Sequence, residues 1–272
     1  AGDLTGWSVS SAGDVDGDGR DDLIIGARSA DGGGTDSGET YLILAADLAV
    51  ADAADGITDG NIDLGLVGGV GLSYQFTGGA PGDQSGFSVA SAGDVDGDGL
   101  DDLIIGADQA DGGGANSGET YLILAKDLAA ADAEDGTNGN INLALVGGVG
   151  GSYQFTGGAA NDQAGKFVAS AGDVDGDGRD DLIIGAVFAD GGGNYSGETY
   201  LIFANDLAGL DAADGTTDGV IDLGRVGSVD GPYQFTGAIN DWSGWSVSSA
   251  GDVDGDGRDD LIIGALFADG GG

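Results

Sequence analysis

The run Asp-Val-Asp-Gly-Asp-Gly occurs four times, starting at Asp14, Asp94, Asp173 and Asp252, at spacings of 80, 79 and 79 residues. A fixed period of that length restricts the chain to architectures in which one supersecondary unit recurs and buries its apolar face against the next. Laid on this period the chain divides into units 1–80, 81–159 and 160–238 and a part unit, 239–272. It starts at Ala1 rather than Met and stops at Gly272 inside the fourth unit, so the expectation is a segment of a longer protein.

Within a unit the apolar residues follow a period of two and are punctuated by turn residues, which argues for strands. Four are expected in the first unit. Trp7–Ala12 alternates, with Trp7 and Val9 on one face and Ser8 and Ser10 on the other; Leu23–Ala27 is apolar on both faces and should be central; Thr40–Leu44 and Tyr74–Thr77 follow. The intervening segment, 45–73, has an Ala-rich start, Leu44 and Leu48 four apart and Gly56 as a stop, which allows a short helix. A solvated excursion at the outer edge is the favoured reading. Four short antiparallel strands per tandem unit, joined by Gly-rich turns, suit a β-propeller blade. A parallel β-helix would need a Gly-Gly-x-Gly-x-Asp nonapeptide period, and there is none.

Charge and missing residue types narrow the chemistry. Asp and Glu number 48 against 7 Lys and Arg, a formal charge of −41 that repels phosphate backbones and anionic lipid surfaces. Nucleic acid is therefore not expected as a partner. Without His or Cys the chain cannot build Ser-His-Asp or Cys-His catalysis, zinc sites of the His/Cys kind, or disulfides. Acidic chains can be disordered, but 40% of these residues are hydrophobic and cluster in dense runs such as Leu23-Ile24-Ile25, so a folded chain is expected. No apolar run approaches the roughly 18–20 residues that span a bilayer.

The repeated run carries the strongest chemical signal. In Asp14-Val15-Asp16-Gly17-Asp18-Gly19-Arg20-Asp21-Asp22, carboxylates stand at positions 1, 3, 5 and 9, and Gly at position 6 permits a sharp bend. Alternate spacing aims Asp14, Asp16 and Asp18 at one point, where the Arg20 carbonyl and Asp22 can join them. Such convergence of oxygens suits calcium, which takes six to eight flexible oxygen ligands, whereas magnesium keeps its waters. The same sets are Asp94, Asp96, Asp98, Leu100 carbonyl and Asp102; Asp173, Asp175, Asp177, Arg179 carbonyl and Asp181; and Asp252, Asp254, Asp256, Arg258 carbonyl and Asp260. About one Ca2+ per repeat, four in all, is expected. An EF-hand needs Glu at position 12, but Ile25, Ile105, Ile184 and Ile263 stand there, so the sites are strand-loop-strand and a dockerin-type module is disfavoured. Four crowded carboxylates repel one another unless a cation sits among them. Asp21, Asp101, Asp180 and Asp259 are not placed as ligands and should point to solvent or to a backbone amide.

Gly6-Trp7 or Gly86-Phe87 opening a strand, then Ser-Ala-Gly-Asp-Val-Asp-Gly-Asp-Gly, then Asp-Leu-Ile-Ile-Gly-Ala, resembles the FG-GAP repeat of integrin alpha-subunit propellers and of bacterial extracellular proteins. The resemblance covers all four copies. It implies one blade per unit, calcium in the loop between the first two strands, and extracellular, often adhesive, roles. Unit 3 departs from it: in Gly165-Lys166-Phe167 the aromatic is displaced by one residue, which flips it to the other face of a strand unless the strand is shifted or bulged. The Asp-x-Ser-x-Ser pattern of the integrin inserted domain is absent, so that mode of ligand binding does not carry over.

Other features have blander readings. The loops 31–34, 111–114, 190–193 and 269–272 could hold a second ion with Glu39, Glu119 or Glu198, but flexible Gly turns are favoured. Asp52, Asp55, Asp59 and Asp63 read as solvated surface. Tyr74-Gln75-Phe76, Tyr153-Gln154-Phe155 and Tyr233-Gln234-Phe235 read as core strands rather than sugar platforms. Twenty-eight of the 48 acidic residues lie outside the Asp loops, so metal binding alone does not account for the acidity.

The resulting expectation is an all-β chain of β-propeller-like tandem four-stranded blades with strand-loop-strand calcium sites. It would serve as an extracellular or cell-surface structural and adhesive module, not an enzyme. A calcium-dependent polysaccharide-binding propeller is the alternative, and a carboxylate-based glycan-active enzyme a weaker one, since no isolated carboxylate pair stands out. No unit differs from its neighbours in chemistry as a dedicated active site would require. With four first and second strands but three third and fourth strands, closure by the chain's own termini is not expected. Neighbouring sequence, pairing of two chains or end-to-end assembly would complete the ring, with protein or glycan as possible ligands.

Overall fold

The computed structural model of the chain describes residues 2–69, 73–136, 138–148, 150–227 and 231–269. Along the chain run β1 (Thr5–Gly13), β2 (Asp22–Ala27), β3 (Glu39–Ile43), α1 (Leu48–Asp52), β4 (Tyr74–Thr77), β5 (Ser88–Gly93), β6 (Asp102–Ala107), β7 (Glu119–Ile123), α2 (Leu128–Asp135), β8 (Asn140–Asn142) and β9 (Tyr153–Thr156). They continue as β10 (Ala164–Gly172), β11 (Asp181–Ala186), β12 (Glu198–Ile202), α3 (Leu207–Asp211), β13 (Val220–Asp222), β14 (Tyr233–Thr236), β15 (Ser243–Gly251) and β16 (Asp260–Ala265).

Each whole unit makes an antiparallel sheet in chain order: β1-β2-β3-β4, β5-β6-β7-β9 and β10-β11-β12-β14. The part unit supplies β15-β16. The innermost strands β1, β5, β10 and β15 pack side by side, stacking the sheets as successive blades. Val89 N–H donates to Ser8 Oγ and Val168 N–H to Ser88 Oγ, pinning blade 1 to blade 2 and blade 2 to blade 3.

In blades 2 and 3 the Asp-Leu-Ile-Ile-Gly-Ala strand is central for the reason its composition gave: both faces are buried, each against a different blade. Leu103 and Ile105 pack with Ile24, Leu42 and Phe76 of blade 1, whereas Ile104 packs with Leu182, Ile184 and Tyr200 of blade 3. Its glycine is a packing requirement. A Cβ on Gly106 would stand 1.9 Å from the Gly165 carbonyl oxygen, because the backbone of the next blade lies against it.

Strand boundaries differ slightly from expectation. β1 starts at Thr5 because a bulge between Thr5 and Ser8 carries the pairing past Gly6. β3 ends at Ile43 because Leu44 N–H leaves the ladder and donates to Ser73 Oγ.

The segment between the third and fourth strands is an ordered excursion, which in unit 1 stays mostly exposed over residues 53–66. It forms a 3-10 turn, Ala45–Asp47, and then α1, and the later units repeat this as α2 and α3. In units 2 and 3 it goes on to make β8 and β13, which add in parallel to the outermost strand of the preceding blade: β8 on β4, and β13 on β9. Blades 1 and 2 are therefore five-stranded. Ile141 joins Phe76 in one core and Ile221 joins Phe155 in the other, so burial of these pairs drives the addition.

Unit 3 keeps its register despite the displaced aromatic. Phe167 stands opposite Gly185, where Ser8, Ser88 and Ser246 stand opposite their glycines, so it does occupy the other face. The bulge near it also occurs in β1 and β15 and is no special adjustment. Lys166 takes the aromatic's position because Asp108 of blade 2, almost fully buried, needs a cation: Nζ lies 2.6 Å from Asp108 Oδ2 and 4.4 Å from the Phe87 ring centre.

The Gly-rich loops are ordered turns. Gly33 N–H donates to Ser37 Oγ and Asp36 N–H to Asp31 Oδ1, and units 2 and 3 repeat both bonds. Gly270–Gly272 of the fourth loop lie outside the described residues. Asp52 is a loop-shaping acceptor, taking the amides of Asp59 and Gly60.

Candidate metal centre

The Asp-rich loop is folded by its own side chains. Asp14 Oδ2 accepts Gly19 N–H, Asp16 Oδ1 accepts Asp18 N–H, and Asp18 Oδ1 accepts Arg20 N–H. Such side-chain to backbone bonds two or more residues ahead are what short Asp residues do in turns. Gly17 and Gly19 hold left-handed φ values of 76° and 85°, which a side chain would resist. In units 2 to 4 the first carboxylate accepts two further amides, those of Gly97 and Asp98, Gly176 and Asp177, or Gly255 and Asp256. In unit 1 the equivalent atom, Asp14 Oδ1, is buried without a hydrogen-bond partner.

Asp22 anchors the loop from below. It is buried at the start of β2, with Oδ2 accepting Val15 N–H and Oδ1 accepting Ala45 N–H, so one carboxylate ties the loop to the end of the third strand. Asp102 and Asp181 repeat this with Val95 and Ala125, and with Val174 and Ala204. Burial, with neighbouring carboxylates adding to it, raises Asp102 to about 7 and Asp181 to about 6, against which the amide bonds lower them.

Three carboxylates of each loop bring ligand oxygens within 4.8 Å of one another: Asp14, Asp16 and Asp18; Asp94, Asp96 and Asp102; Asp173, Asp175 and Asp181; Asp252, Asp254 and Asp260. Asp98, Asp177 and Asp256 stand outside these trios and bond the amides of Leu100, Arg179 and Arg258. Asp22 is likewise outside the trio of unit 1. Protein cations cover part of the charge: Arg20 pairs with Asp18, Arg179 with Asp177 at 3.3 Å, and Lys126 with Asp96 at 2.5 Å. A convergent set of hard carboxylate oxygens, with a buried carboxylate among them in units 2 and 3, can hold a divalent cation, and it fits oxygen-seeking metals rather than zinc.

Of the four residues left over by the ligand spacing, Asp21 is exposed and the other three join the blades. Asp101 Oδ2 accepts Asp14 N–H at 2.8 Å while Asp101 N–H donates to the Asp14 carbonyl. Asp180 and Asp259 clasp Asp94 and Asp173 in the same way. Both destinations open in the sequence are used: Asp21 faces solvent, and Asp101, Asp180 and Asp259 each accept a backbone amide one unit back.

The sequence pattern of the FG-GAP repeat matches residues 5–43, 85–123, 167–202 and 243–272, more than half of the chain. The chain belongs to the FG-GAP repeat family. Each match in the whole units ends with the third strand of a blade, so this FG-GAP chain carries its sites, its central strands and its inter-blade clasps inside the family pattern. The straps β8 and β13 lie outside it. The FG-GAP chain is 32% identical over 234 residues to integrin alpha-5 of Xenopus laevis, covering 81% of this chain. It is 29% identical over 273 aligned positions to integrin alpha pat-2 of Caenorhabditis elegans, covering 97% of this chain. These stretches are 19% and 18% of the two relatives, so the chain spans less than a fifth of their length. No helix among the described residues is long and apolar enough to cross a membrane.

One group of residues escaped the sequence reading, and it corrects the view that no unit differs in chemistry. Phe188, Tyr195, Trp242 and Phe267 form a cluster at the junction of units 3 and 4, with Trp242 centred 5.0 Å from Phe188 and 4.7 Å from Phe267. Beside it lies an open cleft of about 640 Å3 lined by Asn161, Asp162, Asp190, Asn194, Phe188, Tyr195 and Trp242. The signal was available by aligning the units: Gln109 and Asn116 stand in unit 2 where Phe188 and Tyr195 stand in unit 3.

Proposed function

We propose that this chain is a calcium-stabilised propeller segment acting as a structural and adhesive module outside the cell or on its surface. The observation that carries the reading is the fourfold recurrence of a three-carboxylate trio in a loop tied to the base of its blade. One Ca2+ per loop would relieve carboxylate repulsion and fasten the turn between the first two strands, a role that disulfides cannot fill in a chain without Cys. Sites of extracellular modules bind at roughly 0.1–1 mM and stay loaded at that concentration of calcium. The integrin names of the relatives support a place at the cell surface and a protein partner, with the chain's blades as a scaffold rather than a catalyst. Exposed apolar side chains on the flanks of the outer blades, Val9 and Leu23 in unit 1 and Val253 and Ile262 in unit 4, support further blades as neighbours. Isothermal calorimetry and thermal melting in calcium and in chelator test the reading: up to four binding events and a melting point lowered by chelation are expected. Absence of calcium heats with unchanged melting would overturn it.

The polysaccharide-binding reading gains one observation, the aromatic cleft between units 3 and 4. Retention of the protein on a polysaccharide matrix, lost in Trp242→Ala, is the outcome that reading requires.

A further inference from the structure

The strap that each unit lays on its predecessor has an acceptor without a donor and a donor without an acceptor. On blades 1 and 2 the arrangement is the same: Gln75 N–H donates to the Gly139 carbonyl and Gln154 N–H to the Gly219 carbonyl, both at 2.8 Å. Asn140, Ile141 and Asn142 then run beside Gln75, Phe76 and Thr77, and Val220, Ile221 and Asp222 beside Gln154, Phe155 and Thr156. Phe76 and Phe155 are 0% exposed beneath Ile141 and Ile221. Blade 3 has the same Tyr-Gln-Phe-Thr sequence in β14, but among the described residues no strand pairs with its outer edge, and Phe235 is 38% exposed.

The donor side is equally plain in unit 1, where Gly60-Asn61-Ile62-Asp63-Leu64 matches Gly139-Asn140-Ile141-Asn142-Leu143 and pairs with no strand among the described residues. The glycines repeat the asymmetry. All three strap glycines hold a left-handed φ, but only on Gly139 and Gly219 would a Cβ also stand 2.0 and 2.1 Å from a carbonyl oxygen, that of Gly68 or Gly147. Gly60, the donor-side counterpart, has nothing within 4 Å, and Gly227, the acceptor-side counterpart, meets only its own Gln234.

We propose that the outer edge of β14 is a docking site for an extended Gly-x-Ile-(Asp or Asn)-Leu segment of a further repeat unit, added in parallel to Gln234–Thr236. The outward Gln234 amide would receive a glycine carbonyl, and the isoleucine would cover Phe235, a mode of recognition by strand addition. Metal loading does not enter the proposal, so its failure would leave the calcium reading untouched.

The test is fluorescence anisotropy of a labelled peptide of residues 57–67 titrated with the whole chain. Saturable binding is expected, weakened about tenfold or more by Ile62→Asp in the peptide, by Gln234→Pro in the protein, which removes the outward donor, and by Phe235→Ser, which removes the apolar seat. Circular dichroism melting identifies which protein variants remain folded, and either one alone suffices. No saturable binding, or binding unaffected by a folded variant, would overturn the proposal.

Discussion

Blades 2 and 3 sit between neighbours, and blades 1 and 4 each have one flank bare, yet all four carry the same Asp-Leu-Ile-Ile-Gly-Ala strand. In blade 2 Leu103 and Ile104 are both 0% exposed; in blade 1 Leu23 is 48% exposed, and in blade 4 Ile262 is 60% exposed. Identical local sequence thus forms the same strand in four places while its burial, and with it its energetic worth, is set by the adjacent blade. In a repeat array stability resides in interfaces as much as in units.

That contrast can be broken by substitution, and the largest difference is expected for apolar truncation. Ile104→Ala should cost about 2–5 kcal/mol in denaturant unfolding, since it opens a cavity between two blades, while Ile262→Ala should cost less than about 1 kcal/mol. Equal losses would mean that Ile262 is covered in solution. The strand glycines come next. Gly106→Ala drives a Cβ into the Gly165 carbonyl and should lose about 1–3 kcal/mol or more, whereas Gly264, whose nearest contact would be 3.4 Å, should accept Ala without loss. A severe loss at Gly264, measured by thermal melting, would reveal a blade packed on that flank.

The clasps should separate by about 1 kcal/mol. Asp180→Ala strips the acceptor from Asp94 N–H, whereas Asp21 is exposed and its replacement should change the melting point little. The last effect is a pH dependence at Asp162, which is buried at the junction of blades 2 and 3, accepts Ala159 N–H and is raised to about 6 by desolvation, with Glu198 and Asp190 adding to the shift. Because its folded value lies above the unfolded value of about 3.9, its contribution is full below pH 4 and is lost as the pH rises through 6. Asp162→Asn, which keeps the acceptor, should therefore match the parent near pH 4 and melt higher above pH 6. A melting difference independent of pH would contradict that assignment.

Much of the fold was readable because its signals are local and recur. The Asp loop folds on side-chain to backbone bonds that span at most five residues within Asp14–Arg20, and the two-sided apolar run Leu23–Ile25 reads as a central strand without knowledge of its partners. The straps were not readable. β8 is three residues long, and its partner β4 lies more than 60 residues earlier, so neither periodicity nor propensity marks it as a strand. Lys166 looked like a defect in the aromatic pattern because Asp108, the charge it answers, is 58 residues away.

The same division holds at the candidate centre. The sequence proposed four carboxylates per loop, and the structure gathers three, setting Asp98, Asp177 and Asp256 onto backbone amides. It also gives Asp101, Asp180 and Asp259 their acceptors' role between blades, which spacing within one loop could exclude from ligation but could not direct.

By itself, then, the sequence determined the unit, its strands and the acidic loop, because turn chemistry and alternation act between residues a few positions apart. Only the tertiary structure decided what each copy is worth. Which flank is dry, which aspartate clasps a neighbour, which isoleucine crosses to the blade before it and which edge is left open all depend on contacts about one period away, where solvent exclusion rather than local geometry sets the free energy.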